Sequence, residues 1–197
     1  IHGIILAGGK ASRMQGVDKG LQLLNGKPLI EHVFERLRPQ VHSMTISANR
    51  NISDYEKFLS SVIVDEGNID CGPLLGILSA MKHIKKTASS GDWVVLTPCD
   101  APRVADNLVQ KLTRDTNIPL TKISALLPFD GQRHQALFSM LPLQVIDRLQ
   151  DTITIKNLKV TDWLLSLSPH IVDLSDIAAT FSNINTLQQL HSLQSRP

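Results

Sequence analysis

Cysteine is scarce: the chain of 197 residues has two, Cys71 and Cys99. They form no C-x-x-C pair, and two are too few for a disulfide framework at this size. Two reduced, partly buried thiols are the expectation. Long apolar runs are missing too. No stretch approaches the ~20 apolar residues that span a bilayer, so no membrane segment is expected. Charge of one sign is equally lacking. A formal net charge of +2 without blocks of like charge gives no electrostatic case for nucleic acid or a membrane surface as partner. The chain opens on Ile1, directly ahead of an apolar run, and a reducing, cytoplasmic setting without a leader peptide is expected.

Several catalytic templates are absent as well. A Walker A loop needs G-x-x-x-x-G-K followed by Ser or Thr; here Gly9-Lys10 precedes Ala11, and Gly26-Lys27 precedes Pro28. The dinucleotide fingerprint G-x-G-x-x-G does not follow the first strand. Neither a G-x-S-x-G elbow nor H-E-x-x-H occurs. P-loop NTPase, serine hydrolase and zinc protease are therefore poorly supported.

What is present is concentrated near the start. The apolar run Gly3-Ile4-Ile5-Leu6 reads as a buried strand over 3–7, and Ala7-Gly8-Gly9-Lys10-Ala11-Ser12-Arg13-Met14-Gln15-Gly16-Val17-Asp18-Lys19 follows. Adjacent glycines let the backbone turn tightly and approach a ligand without a Cβ in the way. A hydroxyl and three cations, Lys10, Arg13 and Lys19, share the loop. Backbone N–H groups with clustered positive charge suit a polyphosphate.

Beyond the loop, strand-like and helix-like segments alternate. Leu29, Val33 and Leu37 fall at i, i+4 and i+8, a helical stripe opened by Pro28 at an N1-like position. Strands are expected at 44–47, at 62–64 ending on Asp65, and at 93–97, with a helix over 74–84. The later chain predicts strands at 123–127, 136–140 and 171–174, and helices at 143–149 and 160–167. Thr186 and Gln189 are spaced as a capping box for a last helix. Helices between strands argue for βαβ units. The expected fold is a single Rossmann-like α/β domain over 1–197, a three-layer α/β/α arrangement on a mostly parallel sheet. In such sheets ligands bind beyond the carboxyl ends of the strands. That rule nominates the loop after Leu6, the segment Ser47 to Asn49, Asp65 and Asp100. A lone carboxylate at the rim suits Mg²⁺, which takes one or two protein oxygens and completes its shell with water and phosphate. A turn or helix-cap aspartate explains Asp100 equally well from spacing alone.

With those residues assembled, the chain resembles the nucleotidyltransferase superfamily and, within it, the molybdenum cofactor guanylyltransferases (the MobA family). The resemblance is carried by the loop through Lys19, Asn25-Gly26-Lys27-Pro28-Leu29, Ser47-Ala48-Asn49-Arg50 and Gly72-Pro73-Leu74. Thr97-Pro98-Cys99-Asp100-Ala101-Pro102 and Phe181-Ser182-Asn183-Ile184-Asn185-Thr186 complete it. The patches follow family order over nearly the whole chain. The implied fold is that of the nucleotide-diphospho-sugar transferases, with nucleotide bound by the N-terminal half and acceptor by the C-terminal half. The implied activity is transfer of GMP from GTP to the terminal phosphate of molybdopterin, releasing pyrophosphate, with Mg²⁺ as cofactor. Related readings are a cytidylyl or sugar-1-phosphate nucleotidyltransferase, or a non-catalytic carrier of the cofactor.

Carried over residue by residue, the resemblance implies that Leu6, Ala7, Gly8 and Gly9 meet the nucleotide through backbone groups. Arg13 and Lys19 neutralise the triphosphate as catalytic cations. Ser47, Asn49 and Asp65 belong to the nucleotide side, with Asp65 near ribose or base. Asp100 is the catalytic metal carboxylate. Asn183 and Asn185 line the second half of the pocket, near the pterin or the metal, and His134 falls on the pterin side. Maturation proteins and apo-molybdoenzymes are the implied transient partners. The chain departs from the family pattern at Gln15 (usually Gly), Ser47 (often Asn) and Gln135 (in place of a proline).

Overall fold

A computed structural model describes residues 1–8, 18–59, 61–66, 72–89, 91–114, 116, 118–155 and 159–194. Among these residues nine strands alternate with helices: β1 (His2–Leu6), a small hairpin of β2 (Leu23–Leu24) and β3 (Lys27–Pro28), α1 (Leu29–Leu37), β4 (Ser43–Ser47), α2 (Ile52–Tyr55), β5 (Val62–Ile63), α3 (Pro73–Lys85) and β6 (Trp93–Pro98) come first. Then follow α4 (Leu108–Arg114), β7 (Leu126–Phe129), β8 (Met140–Pro142), α5 (Ile146–Ile155), α6 (Val160–Ser166), β9 (His170–Asp173) and α7 (Leu187–Gln194).

Seven of these strands form one sheet in the order β5-β4-β1-β6-β8-β7-β9. β1 pairs parallel with both β4 and β6, and β4 with β5. β8 runs against its neighbours β6 and β7, and β9 returns parallel to β7. The expected mostly parallel sheet is thus present, with β8 as its reversed strand. β1 and β6 are buried along their whole length, as strands covered on both faces must be.

Strand pleating sends alternate side chains to opposite faces. Ile5 and Val95 join one apolar cluster with residues of α1 and α4, while Ile4, Val94 and Leu96 join another with α3, α5 and α6. Helices therefore cover both faces, and the three layers follow directly from that alternation. Leu29, Val33 and Leu37 of α1 are buried as their spacing predicts. Pro28 stands just before the helix in extended backbone rather than at its first turn.

The later chain needs correction. The strand expected at 123–127 begins at Leu126, and a 3₁₀ turn occupies Leu120–Lys122. In place of a strand over 136–140 there is a 3₁₀ turn at Ala136–Phe138, and strand geometry starts only at Met140. The cause is a local loop: Gly131 takes a left-handed φ of 90°, and the Asp130 carboxylate accepts from the amides of Gln132 and Arg133 and from Gln135 Nε2. That loop aims Phe138 at Phe181, ring centroids 5.0 Å apart. An apolar run reports burial, not which period achieves it. The third strand also ends a residue early, leaving Val64 52% exposed. The capping box is as expected: the Gln189 amide donates to Thr186 Oγ1 at 3.1 Å, and Gln189 Oε1 accepts from the Thr186 amide at 3.2 Å.

Candidate active site

The carboxyl ends of β1, β4 and β6 open into a cleft of about 260 Å³. Leu6, Ala7 and Gly8 form its floor, continuing β1 past the sheet. The Ala7 amide still donates to Ser47 O at 2.8 Å, and the Cys99 amide to Leu6 O at 3.1 Å. The floor is thus pinned between the ends of β4 and β6. Gly9 and Arg13, with most of the signature loop, lie outside the described residues, as does Cys71. Cys99 is a buried free thiol beside the cleft, and burial pushes its pKa well up.

One wall belongs to β4, β5 and α3. Ser47 Oγ donates to Asp65 Oδ1 at 3.2 Å, and Asn49 Nδ2 donates to Asp65 Oδ2 at 2.7 Å. The Asp65 amide in turn donates to Asn49 Oδ1 at 2.9 Å. Ser47 and Asp65 line the cleft, whereas Asn49 braces Asp65 without lining it. Gly76 on α3 makes room for this pair. A Cβ there would lie 2.6 Å from Ser47 Oγ and 3.2 Å from Asp65 Oδ1.

Opposite, Lys19 Nζ donates to Asn185 Oδ1 at 2.7 Å and to Asp100 Oδ2 at 3.3 Å. Asp100 follows the central strand β6, and its side chain is only 11% exposed. Burial raises its pKa above the usual carboxylate range, with the Lys19 ammonium partly offsetting the shift. The Ile184 amide donates to Asp100 O at 2.8 Å, which ties the segment carrying Asn183 and Asn185 to the end of β6. Asn183 Oδ1 is buried without a hydrogen-bond partner among the described residues. Such an oxygen is costly unless something else reaches it.

A second cavity of about 470 Å³ adjoins the cleft. Arg133, His134 and Ser182 line it, and it shares Leu137, Asn183 and Asn185 with the first. His134 therefore stands in the neighbouring cavity rather than in the main cleft. The structure also brings in residues to which sequence reasoning assigned no role. Asp18 and Arg50 line the cleft, and fully buried Tyr55 donates to Asp18 Oδ1 at 2.5 Å. The available signal was the position of Asp18 beside Lys19.

The arrangement can bind a phosphorylated nucleotide: backbone floor, one polar wall, and a cation paired with a buried carboxylate. A family model described as a MobA-like NTP transferase domain matches residues 3–163. A molybdenum cofactor guanylyltransferase of Cupriavidus metallidurans is 38% identical over 199 residues, 99% of this chain and 95% of that protein. The one from Vibrio cholerae is 38% identical over 95% of this chain and 88% of its own length. Among solved structures, molybdopterin-guanine dinucleotide biosynthesis protein A from Archaeoglobus fulgidus shares the fold with a TM-score of 0.71 at 22% identity, covering 98% of this chain and 97% of its own. A 4-diphosphocytidyl-2C-methyl-D-erythritol synthase from Anaerococcus prevotii does so with a TM-score of 0.68 at 11% identity, covering 98% and 94%.

Proposed function

The chain belongs to the family of MobA-like NTP transferase domains, and from that premise we propose that it transfers GMP from GTP to the terminal phosphate of molybdenum-molybdopterin, releasing pyrophosphate and forming the guanine dinucleotide form of the cofactor. Relatives at 38% identity over nearly the full chain are molybdenum cofactor guanylyltransferases. What carries the reading to the site is one juxtaposition. The Lys19 ammonium, the Asp100 carboxylate and the Asn185 amide meet where β1 and β6 leave the sheet.

An acceptor phosphate is ionised at neutral pH, so its oxygen attacks the α-phosphorus without a strong general base. The new bond joins that oxygen to Pα. The bond from Pα to the bridging oxygen of the β-phosphate breaks, and pyrophosphate leaves with the electron pair. Catalysis then rests on positioning and charge neutralisation. Lys19 and Arg13 neutralise the triphosphate. Leu6, Ala7, Gly8 and Gly9 offer backbone groups to the nucleotide, and Ser47, Asn49 and Asp65 form its base and ribose side. Asn183 and Asn185, shared by both cavities, stand between nucleotide and acceptor.

The donor set fits Mg²⁺. Asp100 offers a hard oxygen facing the cleft, and Asn183 adds a buried oxygen without a hydrogen-bond partner among the described residues. Asp100, with Asn183 beside it, would hold the ion, which when bound neutralises phosphate charge. The nucleotide-binding N-terminal half and acceptor-binding C-terminal half belong to the same proposal. So do a cytoplasmic setting and transient contacts with maturation proteins and apo-molybdoenzymes. Among the described residues no helix is long and apolar enough to cross a membrane.

The test is pyrophosphate release with molybdopterin and each of the four nucleoside triphosphates. GTP alone should support turnover. Release with CTP and none with GTP would assign the chain to cytidylyl transfer instead.

A further inference from the structure

Lys19 sits on a turn of only three residues, Lys19–Leu21. A cation that must meet a ligand within a few tenths of an ångström needs firmer support than that. The support is the residue before it. Asp18 Oδ1 accepts from the Gly20 amide at 3.2 Å and from the Tyr55 hydroxyl at 2.5 Å. Its other oxygen accepts from Asn51 Nδ2 at 2.9 Å, and Arg50 Nε stands 3.5 Å away. Three of these four groups come from the segment after β4, which is distant in sequence. The carboxylate cross-links two loops at the mouth of the cleft.

Each partner is committed to that arrangement. The Asp18 side chain is only 5% exposed, and a carboxylate withdrawn from water is tolerated when donors meet its lone pairs. Tyr55 is fully buried; burial, then the neighbouring Cys99 and Asp18, push its hydroxyl pKa well above the ordinary tyrosine range. It therefore stays a donor at every working pH. Asn51 holds a left-handed backbone, φ 51°, which asparagine tolerates better than most residues. From it the side chain reaches Asp18. Gly20 has no space to spare: a Cβ there would lie 2.6 Å from the Tyr55 hydroxyl and 3.1 Å from Cys99 Sγ.

We propose that Asp18 is a positioning residue for nucleotidyl transfer, locking the turn that carries Lys19 to the loop after β4 so that the ammonium is held against Asp100 and Asn185. The proposal rests on the role given to Lys19 under the proposed function. Asp18 acts through Lys19; both of its oxygens already accept from Gly20, Tyr55 and Asn51.

A double-mutant cycle tests it, with kcat and KM for GTP measured separately by pyrophosphate release. Asp18→Ala should lower kcat/KM about 100-fold, the scale expected for a displaced catalytic group. Tyr55→Phe, which removes one donor, should lower it about tenfold. In both, the loss should fall in kcat more than in KM. In a Lys19→Ala background either substitution should add less than about threefold, because groups that act as a unit are not additive. Full multiplication of the two losses would overturn the proposal. So would wild-type kcat in Tyr55→Phe. Wild-type turnover by Lys19→Ala alone would instead overturn the role of Lys19, and the proposal with it. Where thermal melting shows that Asp18→Ala does not fold, the Tyr55→Phe and Lys19→Ala cycle decides.

Discussion

The two walls of the cleft differ in how their polar groups are satisfied. On the wall of β4 and β5, Ser47, Asn49 and Asp65 hydrogen-bond to one another, and a glycine in α3 keeps the space they need. On the returning wall, Asn183 Oδ1 is buried with no partner among the described residues, and Asn185 is held by a lysine from the far end of the chain. A self-satisfied wall keeps its shape whether or not a ligand is bound. A wall with an open acceptor is completed by what binds. The contrast fits the proposed division of the cleft, with nucleotide on the self-satisfied wall and acceptor on the wall that the reactants finish.

Three substitutions break or sharpen that contrast. The largest effect is expected at Asp100, where the two walls meet. Asp100→Asn should lower transfer about 10²–10³-fold, the usual cost of losing a preorganised electrostatic group. It should also stabilise the fold at neutral pH. Burial raises the Asp100 pKa, so the folded chain keeps this proton to higher pH than the unfolded chain. Wild-type stability therefore falls as pH rises through the raised pKa, a loss the amide escapes. Thermal melts from acid to neutral pH should show the advantage of the variant shrinking toward acid, where the wild-type carboxyl is protonated in both states. A pH-independent gap would refute this assignment.

Next comes Gly76→Ala, aimed at the self-satisfied wall. The new methyl displaces Ser47 and Asp65, raising KM for GTP roughly tenfold and costing about 1–3 kcal/mol of stability from overpacking. Titration with GTP and a denaturant melt read both; an unchanged KM would show that the wall yields.

Asn183→Ala should have the smallest effect on stability, within about 0.5 kcal/mol, since its Oδ1 has no hydrogen-bond partner among the described residues to lose. KM for molybdopterin should rise several-fold, and more than KM for GTP. A stability loss as large as that of Gly76→Ala would erase the distinction between the walls.

Legibility in the sequence followed the same division. β1, α1, β4, α3 and β6 are set by local patterns: largely apolar runs for β1 and β6, which are buried on both faces, and a regular apolar stripe on α1. The carboxyl-end rule then places Leu6, Ser47, Asp65 and Asp100 at one rim, and the structure brings them together there. Within 120–142 only parts of the two strands are legible, because the course of the segment depends on side chains binding backbone, above all Asp130, and such a turn has no hydrophobic period. Asp18 escaped notice for a related reason. Its partners, Tyr55 and Asn51, are 37 and 33 residues away, and nothing in the spacing joins them. Fold-scale periodicity is a local signal; a buried carboxylate's donors are not.

The bond from Lys19 to Asn185 spans 166 positions. A chain emerging from the ribosome presents the lysine first and the asparagine 166 positions later. Until that asparagine is made, the lysine lacks a partner that holds it. This corner of the cleft is completed when the segment ahead of α7 docks on the end of β6 and the Ile184 amide meets Asp100 O. Closing so long a loop is also slow, which makes that docking a late event in the folding of the cleft.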